Sequence, residues 1–429
     1  IGIVTERAWT PGQPAPDDES LADRFLRLAC LTHSDDEAAD AAAAAQLLAE
    51  HPELPGHDLF VAAACADVPA VRRHLARREA SANVPGGPHG WSPLLYQAYA
   101  RHNSHVDLAA TMETAQLLLD AGAEPNDGRF WHALPTPFTV LTGVLSYGER
   151  RHRWHPHAIA FARLLLEAGA DPNDGQTLYN RMFGTNDDHL VLLFEYGLGR
   201  DTHGPWRRLL GESLESPTEM LRSLLAWAIT HDQRRRVVLL AEHGVDITSP
   251  FTETEPRSPR RGTPIEVALT NGHRALADQL AALGAPPPRL SAADAFVAAV
   301  LAGDGDAVAH TPPHVVAAVR RKRSGLVTWA AAQGAPSAVQ LLVSAGFDVN
   351  ALGRSDIPSN QPWHTALHVA AEKGDLALAQ TLLDLGADPN IPDKHYESTP
   401  LGWARYFDQP ALADLLEQVT RTESLPGQQ

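Results

Sequence analysis

The sequence predicts an all-α solenoid of about eleven helix–turn–helix units, and three observations predict it. A ten-letter phrase recurs along the chain: LLLDAGAEPN (117–126), LLLEAGADPN (164–173), LLVSAGFDVN (341–350) and, one letter shorter, LLDLGADPN (382–390), with weaker copies at 239–247 and 280–288. A second phrase precedes most copies, a Thr-Pro-Leu-His-like start followed by small residues: WSPLLYQAY (91–99), TPFTVLTG (136–143), GTPIEVALTNG (262–272), HTALHVAAEKG (364–374) and TPLGWARYF (399–407). The two phrases keep a fixed distance, with 21 residues from Ser223 to Gly244, Thr263 to Gly284, Gly325 to Gly346 and Thr365 to Gly386. A period of this size marks stacked supersecondary units rather than one core, which suits a chain of 429 residues.

Each letter of the phrases has a mechanical reason. A threonine hydroxyl can satisfy a free amide at a helix start, and proline's fixed φ and missing N–H suit the first turn. Alanines let the second helix approach the first. The glycine after the second helix accepts a left-handed conformation, and Asp-Pro-Asn turns the chain into the next unit. One such unit cannot bury its own apolar face, so neighbours must stack.

Together the phrases resemble the ankyrin repeat, whose pattern joins T-P-L-H-x-A-A to L-L-x-x-G-A-D-P-N. The resemblance is carried by 90–173 and 218–421. The remaining units follow from helix-length periodicity, giving pairs near 20–50, 58–84, 90–126, 134–173, 176–203, 218–248, 262–286, 291–318, 323–350, 363–390 and 399–421. The first two, the fifth and the eighth are degenerate. Residues 1–19, Pro- and Asp-rich without periodicity, are expected to be disordered, as is the tail 422–429. The proline-dense stretch 249–261 reads as a linker between two sub-arrays, 20–248 and 262–421, stacked or hinged there.

In the ankyrin family partners are held by hairpin tips and by variable positions at the end of the first helix, on the concave side. The resemblance therefore implies partner-binding roles for the hairpin residues Trp91, Phe130, Trp131, His132, Trp363, His364 and Tyr396, with Arg260 and Arg261. It implies the same for the helix-end residues Tyr99, His231, Asn271, Tyr406 and Phe407. Aromatic tips are an excess in a chain with only 6 % aromatics, and they supply rigid contact area; each could instead pack over its neighbouring hairpin. Trp227, Trp329 and Trp403 fall on positions that the pattern assigns to the core.

Two units carry insertions between their helices, near 100–111 and 146–157. The second is rich in histidine and arginine, with His152, His155 and His157 around Trp154. No cysteine or carboxylate at ligand spacing completes a metal set, so no metal or other cofactor is expected. A basic aromatic patch or a solvated loop both fit. Nucleophile elbows, phosphate-cradling glycine loops, H-E-x-x-H helices and paired-cysteine motifs are absent from the sequence.

Net charge of −17 disfavours nucleic acid and favours a basic partner. Three lysines among 35 basic residues suggest a GC-rich bacterial genome. Cys30 and Cys65 lie in apolar runs and read as buried thiols. No apolar stretch is long enough to span a bilayer, so a reducing cytoplasm is expected. The chain opens at Ile1 rather than methionine, which leaves a preceding targeting peptide open. The expected function is a protein-interaction scaffold, a regulator or inhibitor without catalysis. The alternative is an enzyme or small-molecule binder whose pocket gathers Tyr99, Trp131, His132, Trp154 and His155 between the insertions.

Overall fold

The computed structural model describes residues 18–32, 37–77, 82–130, 136–146, 154–200, 204–252, 262–355 and 362–423. Among them are 24 α-helices and one two-stranded ribbon, Gly128–Phe130 paired antiparallel with Pro137–Thr139. The chain divides by its internal contacts into two units, 1–224 and 225–429. This division falls inside the helix Pro217–Thr230, upstream of the proline-dense stretch. That stretch lies outside the described residues over 253–261, and its described ends meet, Phe251 donating its N–H to Gly262 O at 2.9 Å. Residues 1–17 and 424–429 also lie outside the described residues.

In the first unit two rows of helices run in register with the chain. Leu21–Ala29, Leu59–Ala64, Pro93–Tyr99, Val140–Leu145 and Gly175–Met182 pack each on the next. So do Val68–Leu75, Leu108–Asp120, Ala158–Glu167 and Asp188–Glu195. The second unit repeats the pattern: Leu326–Ala332, Ala366–Lys373 and Pro400–Tyr406 form one row, and Pro336–Ser344, Leu376–Asp384 and Pro410–Glu423 the other. Its core is built of small residues such as Ala330, Ala331, Ala370, Ala371 and Ala404, which bring the two rows close, and Trp329 and Trp403 fill the gaps between them.

The recurring letters do the work that their chemistry suggests. Ser92 and Thr399 cap their helices through Leu95 and Gly402 N–H, with Pro93 and Pro400 in the first turn; in 136–143 the cap is instead Thr139, through Thr142 N–H, because Pro137 pairs in the ribbon and does not open the helix. At Thr365 the phrase's histidine completes the cap: His368 Nδ1 accepts the Thr365 N–H at 3.2 Å, and its Nε2 donates to Ser398 O at 3.0 Å, in the following turn. One imidazole thereby closes one helix start and ties it to the next unit. Gly122 and Gly169 sit at φ +88° and +100° and close their helices by paired bonds, Ala123 N to Leu118 O and Ala170 N to Leu165 O.

Several first helices end in the same left-handed conformation. Gly272, Gly303, Gly334 and Gly374 occupy that position in four units, but Asp408, exposed, stands there at φ 54°. A side chain in this region is strained where glycine is not. Asp408→Gly is therefore expected to raise unfolding stability by about 0.5–1 kcal/mol, read as an increased urea midpoint. An unchanged or lower midpoint would show that Asp408 is not strained.

Candidate functional site

In the first unit the structure turns two of the expected contact residues inward. Trp91 and Tyr99 are buried at 3 % and 0 % exposure. The hairpin closed by Gly86 and Trp91 folds the indole over the chain's own core, where the Arg129 guanidinium lies 4.6 Å from its ring and 5.1 Å from that of Tyr99. Tyr99 Oη donates to Thr139 O at 3.0 Å, and its ring lies where a side chain at Gly143 would be. These aromatics box a buried cation, an interaction strengthened by desolvation, and they are not available to a partner. Phe130 stays at the surface but packs edge-to-face on Trp206 at 5.6 Å. Trp131, His132, Arg260 and Arg261 lie outside the described residues.

The expected pocket does not gather its residues. Tyr99 is committed to the core, Trp154 is exposed beneath the Arg181 guanidinium at 4.1 Å, and His155 alone of the described set lines the cavity between the insertions. The described parts of the insertions do meet, His157 Nε2 donating to Val106 O at 2.7 Å. The cavity they enclose measures about 20 Å³, far below the few hundred that a small-molecule site needs. Among the described residues no group of three or more His, Cys, Asp or Glu side chains is placed to hold a metal ion. No described helix is long and apolar enough to cross a membrane.

In the second unit Asn271 and His364 are also buried, at 1 % and 0 %. Both were expected at a contact surface. Asn271 ends its helix inside the stack, and His364 is covered by Trp363 and Trp403, with ring centroids at 4.4 and 5.3 Å. His231 is half-buried and lies flat on Trp227 at 3.8 Å, its Nδ1 donating to Trp227 O.

What remains accessible forms one connected aromatic surface. Tyr396 and Tyr406 are exposed at 66 % and 73 %, and half-buried Trp363 and Phe407 link them through buried Trp403. The centroid distances are 6.1 Å from Trp363 to Tyr396, 5.2 Å from Trp363 to Trp403, 5.9 Å from Trp403 to Phe407 and 5.1 Å from Phe407 to Tyr406. His395 adds a further ring against Trp363 at 5.0 Å.

A carboxylate missed by the sequence reading holds this surface in place. Asp393, 2 % exposed, accepts the N–H groups of His395 at 2.8 Å, Tyr396 at 2.6 Å and Ser398 at 3.2 Å, and the Trp403 indole N–H at 2.9 Å. Burial alone would push its pKa up, but these donors outweigh burial and hold it below the ordinary carboxylate range. The Asp393 turn thus fixes Tyr396 outward while the same carboxylate anchors the tryptophan underneath. Phase-free stretches such as PDKHYES hide this role, because it needs four donors that meet only in space. The surface offers aromatic faces and edges.

Residues 302–421, which include this surface, match the family of ankyrin repeats, in three copies. The chain is also similar to a Caenorhabditis elegans protein named "Putative glutaminase 3", 29 % identical over 92 residues. That stretch is 21 % of this chain and spans only 15 % of the relative.

Proposed function

We propose that the chain, with ankyrin repeats over 302–421, is an interaction scaffold that binds a protein partner on the surface formed by Tyr396, Trp363, Phe407 and Tyr406. Ankyrin repeats point to protein–protein interaction. The observation that carries the site is the exposure of Tyr396 and Tyr406 above a rigid aromatic base, where structure alone would be served by small polar residues. Such anchors give contact area at low entropic cost. The helix pairs outside 302–421 are further, diverged repeats of the same kind, about eleven in all. Their cap residues, left-handed glycines and turn asparagines support that reading. The net charge of −17 favours a basic partner, as a regulator or inhibitor of that partner would require.

Affinity capture from a bacterial cytoplasmic extract, with wild type and a Tyr396→Ala, Tyr406→Ala double variant side by side, tests the site. One specific prey is expected with wild type, and its affinity is expected to fall about tenfold for each tyrosine removed. A basic partner should also bind more weakly as salt rises. An unchanged prey profile from the folded double variant would remove this surface from the account.

A further inference from the structure

We propose that the cavity between the two insertions is a binding site for one or two ordered water molecules, held by Gln97 and His102 and sealing the insertions onto the first unit. The cavity measures about 20 Å³, which is room for one water and at most two. Its walls come from three successive helix pairs: Cys65 and Ala66, then Gln97, His102 and Val106, then His155.

The polar inventory of these walls is incomplete without a small bridging group. Gln97 is 2 % exposed and donates its amide to Thr111 O at 2.8 Å, while its Oε1 has no hydrogen-bond partner among the described residues. His102 is 6 % exposed, and neither ring nitrogen has a partner among them; its ring meets the edge of Phe25, at 4.9 Å. Buried polar atoms in native proteins are almost always paired, with protein or with water. The roles fit one molecule. Gln97 Oε1 can only accept. Burial holds His102 neutral, so one ring nitrogen donates and the other accepts. A water that accepts the His102 N–H and donates to Gln97 Oε1 satisfies both, and a second can donate to the remaining ring nitrogen. In the cavity wall His155 Nδ1 accepts the His157 N–H at 3.2 Å, which leaves its proton on Nε2. Nothing larger fits the volume, and an apolar guest would leave three polar atoms unpaired.

A crystal structure of the full chain to about 1.5 Å tests the site directly. The expected result is a peak in the cavity at roughly 2.6–3.2 Å from Gln97 Oε1 and from one His102 ring nitrogen. A His102→Phe variant, which keeps the ring against Phe25, should lose that peak or show it displaced from the ring position. A cavity without density in the wild-type protein would overturn the proposal. So would side chains of Gln97 and His102 turned to protein partners with the cavity closed, or a peak unaffected by the substitution. The wild-type structure decides the matter even if the variant does not fold.

Discussion

Lowering the pH from 7 to 4 is expected to destabilise the first unit by several kcal/mol, with most of the loss between pH 6.5 and 4. His102 and His89 are buried as neutral rings. Burial pushes His102 down to about 4, and burial, with Arg129 and Arg27 nearby, pushes His89 down to about 3. His155 is lowered as well, by burial first and then by Arg101 and His157. In the unfolded chain each would titrate near 6.5. As the pH falls the unfolded chain binds the proton first. The stability associated with each ring is therefore complete above about pH 6.5 and drains as the pH approaches the folded value. For His102 alone that amounts to on the order of 3 kcal/mol by pH 4. Asp127 and Asp174, raised chiefly by burial, act in the opposite direction. They take up protons in the folded state before the unfolded one and so offset part of the loss near pH 4. Urea titrations at pH 7, 6, 5 and 4.5, followed by tryptophan fluorescence, should show the unfolding free energy falling with pH. His102→Phe should flatten the slope by up to about 1.4 kcal/mol per pH unit. A flat profile in wild type would mean that these rings are solvated or charged in the folded protein.

Much of this fold could be read from the letters, because the signals are local. Thr-Pro starts, terminal glycines and Asp-Pro-Asn turns act within a few residues of themselves, and a fixed distance between them makes a unit visible. Trp227, Trp329 and Trp403, assigned to the core by position in the phrase, are buried at 8 %, 1 % and 6 %. Contact residues were harder, since exposure depends on what comes from elsewhere. Trp91 and Tyr99 looked like surface anchors until Arg129, from the ribbon that precedes the following helix pair, claimed their faces. Tyr396 and Tyr406 occupy comparable places in the phrase, yet among the described residues no such cation covers them. The insertions were visible as excess length, but their meeting through His157 and Val106 was not. That contact pairs a ring with a backbone carbonyl, which no residue type announces.

Asn126→Ala is expected to cost about 2 kcal/mol, more than its surface position would suggest. Asn126, which closes the Glu-Pro-Asn phrase at 124–126, is a clamp between turns. Asn126 Nδ2 donates to Gly169 O at 2.9 Å while its Oδ1 accepts the Asp171 N–H at 2.8 Å. Asn173 repeats this with Arg200 O and Gly199 N, and Asn350 with Gly386 O and Asp388 N. Each clamp joins one unit's turn to the next by one donor and one acceptor on a single amide, and each bond is worth roughly 1 kcal/mol net. Glu124 Oε1 holds the amide in place by accepting from Asn126 N and Nδ2, as Asp171 Oδ1 does for Asn173. The two-sided requirement makes Asn126→Asp the sharper experiment. An aspartate keeps the acceptor for Asp171 N–H but sets a carboxylate oxygen against the Gly169 carbonyl and beside Glu124, so it should destabilise more than alanine does. Asn103, whose side chain accepts the His105 N–H of its own loop and, among the described residues, bridges no turns, is the control, and Asn103→Ala should stay within about 0.5 kcal/mol of wild type. Urea midpoints of the three variants decide the point. Equal effects of Asn126→Ala and Asn103→Ala, or an aspartate tolerated better than alanine, would mean that the units are held together by their apolar rows alone.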